Sequence, residues 1–241
     1  MNLPEPSVIT SPLLAARHKA WVDHAVSGST SDCLLFLDAE IYIERVKAPE
    51  IVRGLQKTGG IPPITSVYLS YLDTAARHAN FTCNETYSRF VATDLCNWIQ
   101  QAVCTYKRIF LCGLSLSALC AAFTALRRPD VFSGVLSQSP SAWWNDEWLA
   151  ASLTGASPRP APIWLSVGDQ EVQENISHPP TGLFQNTSQL DSVRRLAETL
   201  TACGGDVRYN EFHGGHDPRC WADELPQALA WLIQDSLGHS S

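Results

Sequence analysis

No cluster of basic residues occurs in this sequence, and 17 lysines and arginines against 24 aspartates and glutamates leave a net charge of -7. That balance excludes a nucleic-acid binder, which needs a basic stripe to neutralise phosphates. Uninterrupted apolar runs are only a few residues long, well short of the ~20 residues that a helix needs to cross a bilayer. The opening Met1-Asn2-Leu3-Pro4-Glu5-Pro6 has neither a basic start nor an apolar stretch. No secretory signal is visible there, and a cytoplasmic location is expected. No C-x-x-C occurs among the eight cysteines, which leaves a zinc or thiol-redox site without support. Several of them lie inside apolar patterns and read as buried free thiols of a reducing compartment. Nor does a linker divide the 241 residues, a length that suits one large α/β domain over 1–241 with a well-buried core.

What is present centres on Arg108-Ile109-Phe110-Leu111-Cys112-Gly113-Leu114-Ser115-Leu116-Ser117-Ala118-Leu119-Cys120. An apolar strand breaks at Gly113, offers a hydroxyl at Ser115 and runs into an Ala/Leu-rich helix. A strand-turn-helix of this kind lifts a serine Oγ above the carboxyl edge of a parallel sheet, where a histidine reaches it. The usual pattern is G-x-S-x-G, and here Ser117 takes the last place. Taken alone, the short pattern is as compatible with a serine-capped helix start.

The flanking segments alternate between strand and helix. Strands are expected at 33–38, 67–72, 131–138, 163–168 and 207–212, and helices at 48–56, 87–103, 187–203 and 221–237. The segment 7–26 is ambiguous, since Ser11-Pro12 suits a helix start whereas His18 to Val26 half-alternates like a strand. Turns or loops are expected at 27–31, 58–63 and between strand 67–72 and helix 87–103, with a Pro-rich connector at 155–162. Such alternation predicts a mostly parallel sheet with helices on both faces, and function then belongs at the carboxyl ends of the strands. Ser115, the Asp169-Gln170-Glu171 loop and His216 each follow a predicted strand directly.

A serine hydroxyl becomes a nucleophile when a histidine takes its proton, and an acid holds that histidine in the right tautomer. Serine, acid, histidine is also the chain order of the α/β-hydrolases. His216 is the expected base, because two glycines let its loop fold back over the site; His213 abuts the strand end and competes with it. Asp169 and Glu171 both remain candidates for the acid. The oxyanion donors are expected to be the backbone N–H groups of Leu116 and of Glu40, the latter in the loop after strand 33–38. Trp143 and Trp144 offer flat apolar faces to an aryl group, though two adjacent residues rarely face the same way. Arg77 and Arg45 are candidate partners for an anionic ligand.

Leu37-Asp38-Ala39-Glu40, Cys83-Asn84, Gly113-Leu114-Ser115-Leu116-Ser117, Val135-Leu136-Ser137-Gln138-Ser139 with Trp143-Trp144, Gly168 with Glu171, and Gly214-Gly215-His216-Asp217 with Cys220-Trp221 carry a resemblance. From about Ser11 to the last helix the chain resembles the catalytic domain of the enterochelin (enterobactin) esterases, the siderophore-esterase branch within the α/β-hydrolases. The resemblance implies a serine esterase acting on the ester bonds of a catecholate trilactone, its linear fragments or related aromatic acyl esters. It implies Ser115 as nucleophile, His216 as base and Glu171 as acid, with the Glu40 and Leu116 amides as the oxyanion hole, and a strand at His18 to Val26. It implies a small-molecule ester as partner, ferric catecholate siderophores included; covalent acyl chemistry needs only side chains and water, so no metal or organic cofactor is expected. The sequence departs from the family's usual glycines at Ala39 and Ser117, and lacks the N-terminal domain of the cytoplasmic enterochelin esterases. Those departures keep two alternatives in view: another carboxylesterase or acyltransferase on the same fold, and a catalytically silent ligand- or partner-binding relative.

Overall fold

The computed structural model describes residues 3–27, 31–153 and 161–235. The expected turn at 27–31, the connector at 155–162 and the terminal helix beyond Asp235 therefore lie wholly or partly outside the described residues. In chain order the strands are β1 Ser7–Ser11, β2 Leu14–Asp23, β3 Asp32–Leu37, β4 Thr65–Leu69, β5 Arg108–Leu114, β6 Gly134–Gln138, β7 Ile163–Gly168, β8 Ile176–His178, β9 Leu183–Gln185 and β10 Val207–Phe212. Eight of them form one sheet in the order β1-β2-β4-β3-β5-β6-β7-β10. Pairings from β4 through β10 are parallel, and β1 and β2 add an antiparallel edge. The expected mostly parallel α/β-hydrolase sheet is thus present.

The central strands are apolar throughout because both faces are covered. Cys33 to Leu37 have no exposure at all. On one face pack the helical run 85–102 and the helices Leu116–Arg127, Trp144–Ser152 and Gln189–Ala202; on the other, Ala48–Thr58 and Pro218–Asp235. Each large aliphatic or aromatic side chain buried there contributes about 1.5–3 kcal/mol.

One expectation left open is decided and two are corrected. The segment 7–26, open between helix and strand, is a β1–β2 hairpin, and the strand implied at His18 to Val26 is β2, ending at Asp23: Ser11 pairs with Leu14, the Leu13 N–H donates to Ser11 Oγ at 3.0 Å, and Ser11 Oγ donates to Asp94. The loop expected after β4 holds a helix, Thr74–Phe81, because Asp73 Oδ1 accepts the Ala76 N–H at 2.8 Å as an N-cap. The stretch expected as a strand from Val131 pairs in the sheet only from Gly134.

Candidate active site

β5 ends in the turn that presents Ser115. Its φ of 54° and ψ of -121° fall in a region costly for a side-chain-bearing residue, so the surrounding structure must impose them. The Ser115 N–H donates to Gln138 O (2.8 Å) and Ser115 O accepts the Ser141 N–H (3.1 Å), which ties the turn to the end of β6. Gly113 is required by close approach, since a Cβ there would sit 2.2 Å from Ser117 O. Ser117 itself is fully buried; the Leu114 N–H donates to its Oγ (3.0 Å), and that hydroxyl donates to Leu114 O (2.8 Å). The extra atoms at 117 therefore pair backbone groups that the turn leaves over, a net gain of about 0.5–1.5 kcal/mol per bond.

His216 Nε2 lies 2.9 Å from Ser115 Oγ, and His216 Nδ1 lies 2.7 Å from Glu171 Oε2. These partners set the tautomer: Nδ1–H donates to the carboxylate and Nε2 accepts from the hydroxyl. Trp221 meets the imidazole edge-on at 4.8 Å. The Glu171 side chain is only 2% exposed, and its other oxygen accepts the Gly168 N–H (2.8 Å) and the Ser139 hydroxyl (2.7 Å). Gly168 brings β7 against the histidine loop, for a Cβ there would lie 2.3 Å from Gly214 O.

Asp169 points elsewhere. Its carboxylate accepts the Gly214 N–H (2.9 Å) and pairs with His213 Nδ1 (3.0 Å); these contacts hold its carboxyl below the ordinary aspartate range. His213 is an exposed partner of that clamp. Glu171, not Asp169, meets the histidine that meets the serine.

A cavity of about 510 Å3 opens beside Ser115 and His216, and a second cleft of about 330 Å3 meets the same pair. Trp143 lines the first cavity. Its indole N–H donates to Gln189 Oε1 and one face stacks on His178 at 4.9 Å and 6°. Trp144 does not line it and packs edge-on against Trp148 at 6.1 Å; directly after it the chain turns through left-handed backbone at Asn145, Asp146 and Glu147. Arg77 borders both spaces, yet its guanidinium already grips buried Asp38 through two bonds of 2.8 and 2.7 Å. Burial works against that charge, but Asp38 lifts the pKa above its ordinary value. Arg45 lines only the second cleft. The Glu40 carboxylate accepts the Ser70 hydroxyl (2.5 Å), and Glu40 is the middle residue of the helical turn Ala39–Ile41 that follows Asp38 at φ 61°. Among the described residues, none of the backbone bonds outside helices and strands uses the N–H of Glu40 or Leu116.

A family model described as "Putative esterase" matches residues 22–232. The chain belongs to that esterase family. Among curated members, the iron(III) enterobactin esterase of Dickeya dadantii (strain 3937) is 23% identical over 211 residues, covering 83% of this chain and 47% of that protein. The chain spans about half the length of the curated relatives that it matches most fully. Among solved structures, the enterobactin esterase of Shigella flexneri in the presence of 2,3-dihydroxy-N-benzoyl-serine superposes with a TM-score of 0.82 at 23% identity, over 99% of this chain and 61% of that one. A ferulic acid esterase gives 0.76 at 15% identity, over 95% and 97%. These likenesses confirm the fold.

Several residues of the candidate site were not legible beforehand. Ser139, at φ 45°, accepts the Trp221 indole N–H at 3.0 Å while donating to Glu171. Its place directly after β6, on the same sheet edge as Ser115, is the signal that marks it. Gln189, His178 and His78 also line the cavity; they belong to no motif and lie on elements that only folding brings over Ser115. Burial, Arg77 and His178 together push the His78 pKa down. Beneath the site, buried Glu224 accepts Gln138 Nε2 (2.9 Å), Ser166 Oγ (2.8 Å), Trp164 Nε1 (2.9 Å) and Asn210 Nδ2 (3.0 Å). That set pins the helix following His216 to three strands.

Proposed function

We propose that this chain is a serine esterase that hydrolyses carboxylic esters through an acyl-enzyme on Ser115, and that its substrates are siderophore-like trilactones or related aromatic acyl esters. The observation that carries the reading is the unbroken relay from Ser115 Oγ through His216 to buried Glu171, facing a cavity large enough for an aryl ester.

In the first half-reaction His216 Nε2 takes the Ser115 proton as Oγ bonds to the ester carbon, and the carbonyl π pair moves onto oxygen. The N–H groups of Leu116 and Glu40 receive that oxyanion. The imidazolium, steadied by Glu171, then gives its proton to the departing alcohol oxygen as the C–O bond breaks. Water repeats the sequence: His216 takes one proton, the oxygen bonds to the acyl carbon, and Ser115 leaves reprotonated with release of the acid. Side chains and water suffice for each step. Residues 1–241 act as one catalytic domain in this reading, and eight free thiols fit a reducing compartment such as the cytoplasm. Among the described residues no helix is long and apolar enough to cross a membrane.

Relatives named for enterobactin and salmochelin support the siderophore branch, and the match to a ferulic acid esterase over nearly its whole length supports aromatic acyl esters more broadly. A fluorophosphonate probe should label Ser115 and not Ser115→Ala, and a panel of aryl, acyl and catecholate esters should find turnover, with release of dihydroxybenzoylserine from a trilactone. An unlabelled Ser115 together with no turnover across the panel would refute the reading.

A further inference from the structure

Ser115 and His216 border two hollows rather than one. The larger, of about 510 Å3, holds Trp143; the smaller, of about 330 Å3, is bounded by Ile41, Arg45, Tyr71, Thr74, Pro218 and Trp221. An ester carbon bound to Ser115 Oγ carries an oxyanion, an acyl group and an alcohol oxygen. The oxyanion goes to backbone N–H groups, so the acyl and alcohol parts need separate room on either side of the pair. The larger hollow, with its indole face, suits an aryl acyl group. The smaller one is left for the alcohol, whose oxygen must face His216 to be protonated.

Two cations border the smaller hollow, and they differ. Arg77 is held by buried Asp38 through two bonds, whereas no hydrogen bond or ion pair ties the Arg45 guanidinium to another described residue. Among the described residues lining this hollow there is no carboxylate. The nearby Glu40 carboxylate is turned to the Ser70 hydroxyl and the Tyr71 N–H, and Glu40 and Glu44 border a different hollow. Arg45 itself is exposed but rides on a firm support, the π-helical turn Tyr42–Val46, whose first and last residues are buried. The Tyr42 hydroxyl donates to Gln138 Oε1 at 3.1 Å. This turn continues directly from Ala39–Ile41, so one piece of backbone sets both the Glu40 amide and the guanidinium.

Resting on the esterase reading above, we infer that the smaller hollow receives the alcohol part of the ester and that Arg45 pairs there with a carboxylate carried by that alcohol. The favoured substrates are then esters of short hydroxy acids whose own carboxyl is free. A guanidinium meets a carboxylate through two parallel N–H bonds, which fixes orientation as well as adding attraction. In a cyclic trilactone every carboxyl is esterified. Once one ester opens, the alcohol unit of a remaining ester carries a free carboxylate, and Arg45 favours that fragment.

Two matched pairs of benzoate esters test this by release of the acid. In the first the charge is on the alcohol: 3-(benzoyloxy)propanoate against 3-(benzoyloxy)propanamide. In the second it is on the acyl ring: 4-nitrophenyl benzoate with a para carboxylate against the same ester with a para carboxamide. Each pair gives a kcat/KM ratio, carboxylate over carboxamide, read within one protein so that a general loss of activity cancels. Arg45→Gln should lower the first ratio at least about threefold from its wild-type value, the scale of a charge-assisted pair open to solvent, and should lower the second by less. A smaller fall in the first ratio, or a fall in the second as large as in the first, overturns the inference and leaves the esterase reading intact. Failure of all four esters to turn over, together with failure of Ser115 to take up a fluorophosphonate, overturns both.

Discussion

Exchanging Glu171 for glutamine tests the relay at its least expected member. The carboxylate offers only acceptors and receives three donors: the Gly168 N–H at 2.8 Å, the Ser139 hydroxyl at 2.7 Å and His216 Nδ1–H at 2.7 Å. A carboxamide must place an NH2 at one end. The Gly168 N–H is part of the chain and cannot turn, so an NH2 facing it leaves two buried donors opposed, at about 1–3 kcal/mol. The amide oxygen therefore faces Gly168 and the NH2 faces His216. Nδ1 must then accept, the proton moves to Nε2, and the imidazole meets Ser115 as a donor instead of a base. A wrong-tautomer change of this type in a serine triad lowers kcat by about 10⁴. Glu171→Gln should accordingly lose about 10³–10⁴ in kcat on an activated aryl ester, less than removal of the serine or histidine, while retaining its far-ultraviolet circular dichroism. Asp169→Asn, which touches only the Gly214 and His213 clamp, is the control. A loss under tenfold for Glu171→Gln, or a larger loss for Asp169→Asn, would refute the assignment.

Ser115→Ala and His216→Ala should each lower kcat by roughly 10³–10⁶, and the double variant should be no worse than either alone, as steady-state kinetics will establish. Ser139→Ala removes a donor from Glu171 and strands the Trp221 indole N–H; thermal unfolding should report a loss of about 1–3 kcal/mol, and kcat a decrease of about tenfold. His18 is buried and stacked on Phe90 at 4.9 Å, and burial pulls its pKa down. The unfolded chain then holds this proton more tightly than the folded one, so the contribution to stability is complete above about pH 6.5 and declines as pH falls below it. Denaturant midpoints measured from about pH 7 to pH 5 should fall for wild type and fall less steeply for His18→Phe.

Much of this arrangement follows from local pattern. The apolar runs at 33–37, 109–112 and 163–165 read as strands and are so, the first of them covered on both faces as expected. Ser115 and His216 were identifiable from the glycines beside them and from their places after strands. A period of two or of 3.6 is a property of neighbouring residues, so it survives in the linear chain.

Choices among near neighbours were not legible that way. Asp169 and Glu171 are two residues apart after one strand, and only the approach of Gly214 to Gly168 sends the first to the histidine loop's backbone and the second to His216. Trp143 and Trp144 are adjacent, and packing separates them, the first onto His178 in the cavity and the second onto Trp148. Arg77 reads as an open cation until Asp38, 39 positions earlier, is seen gripping it. The β8–β9 hairpin that sets His178 on Trp143 has strands of three residues each, too short to leave a period. The sequence by itself thus determined the order of strands and helices and marked Ser115 and His216, which the fold brings to 2.9 Å. Residue pattern left Asp169 and Glu171 open and the resemblance favoured Glu171; the tertiary structure shows which of them meets His216 and how Arg77 is matched, because those depend on distances between segments far apart along the chain.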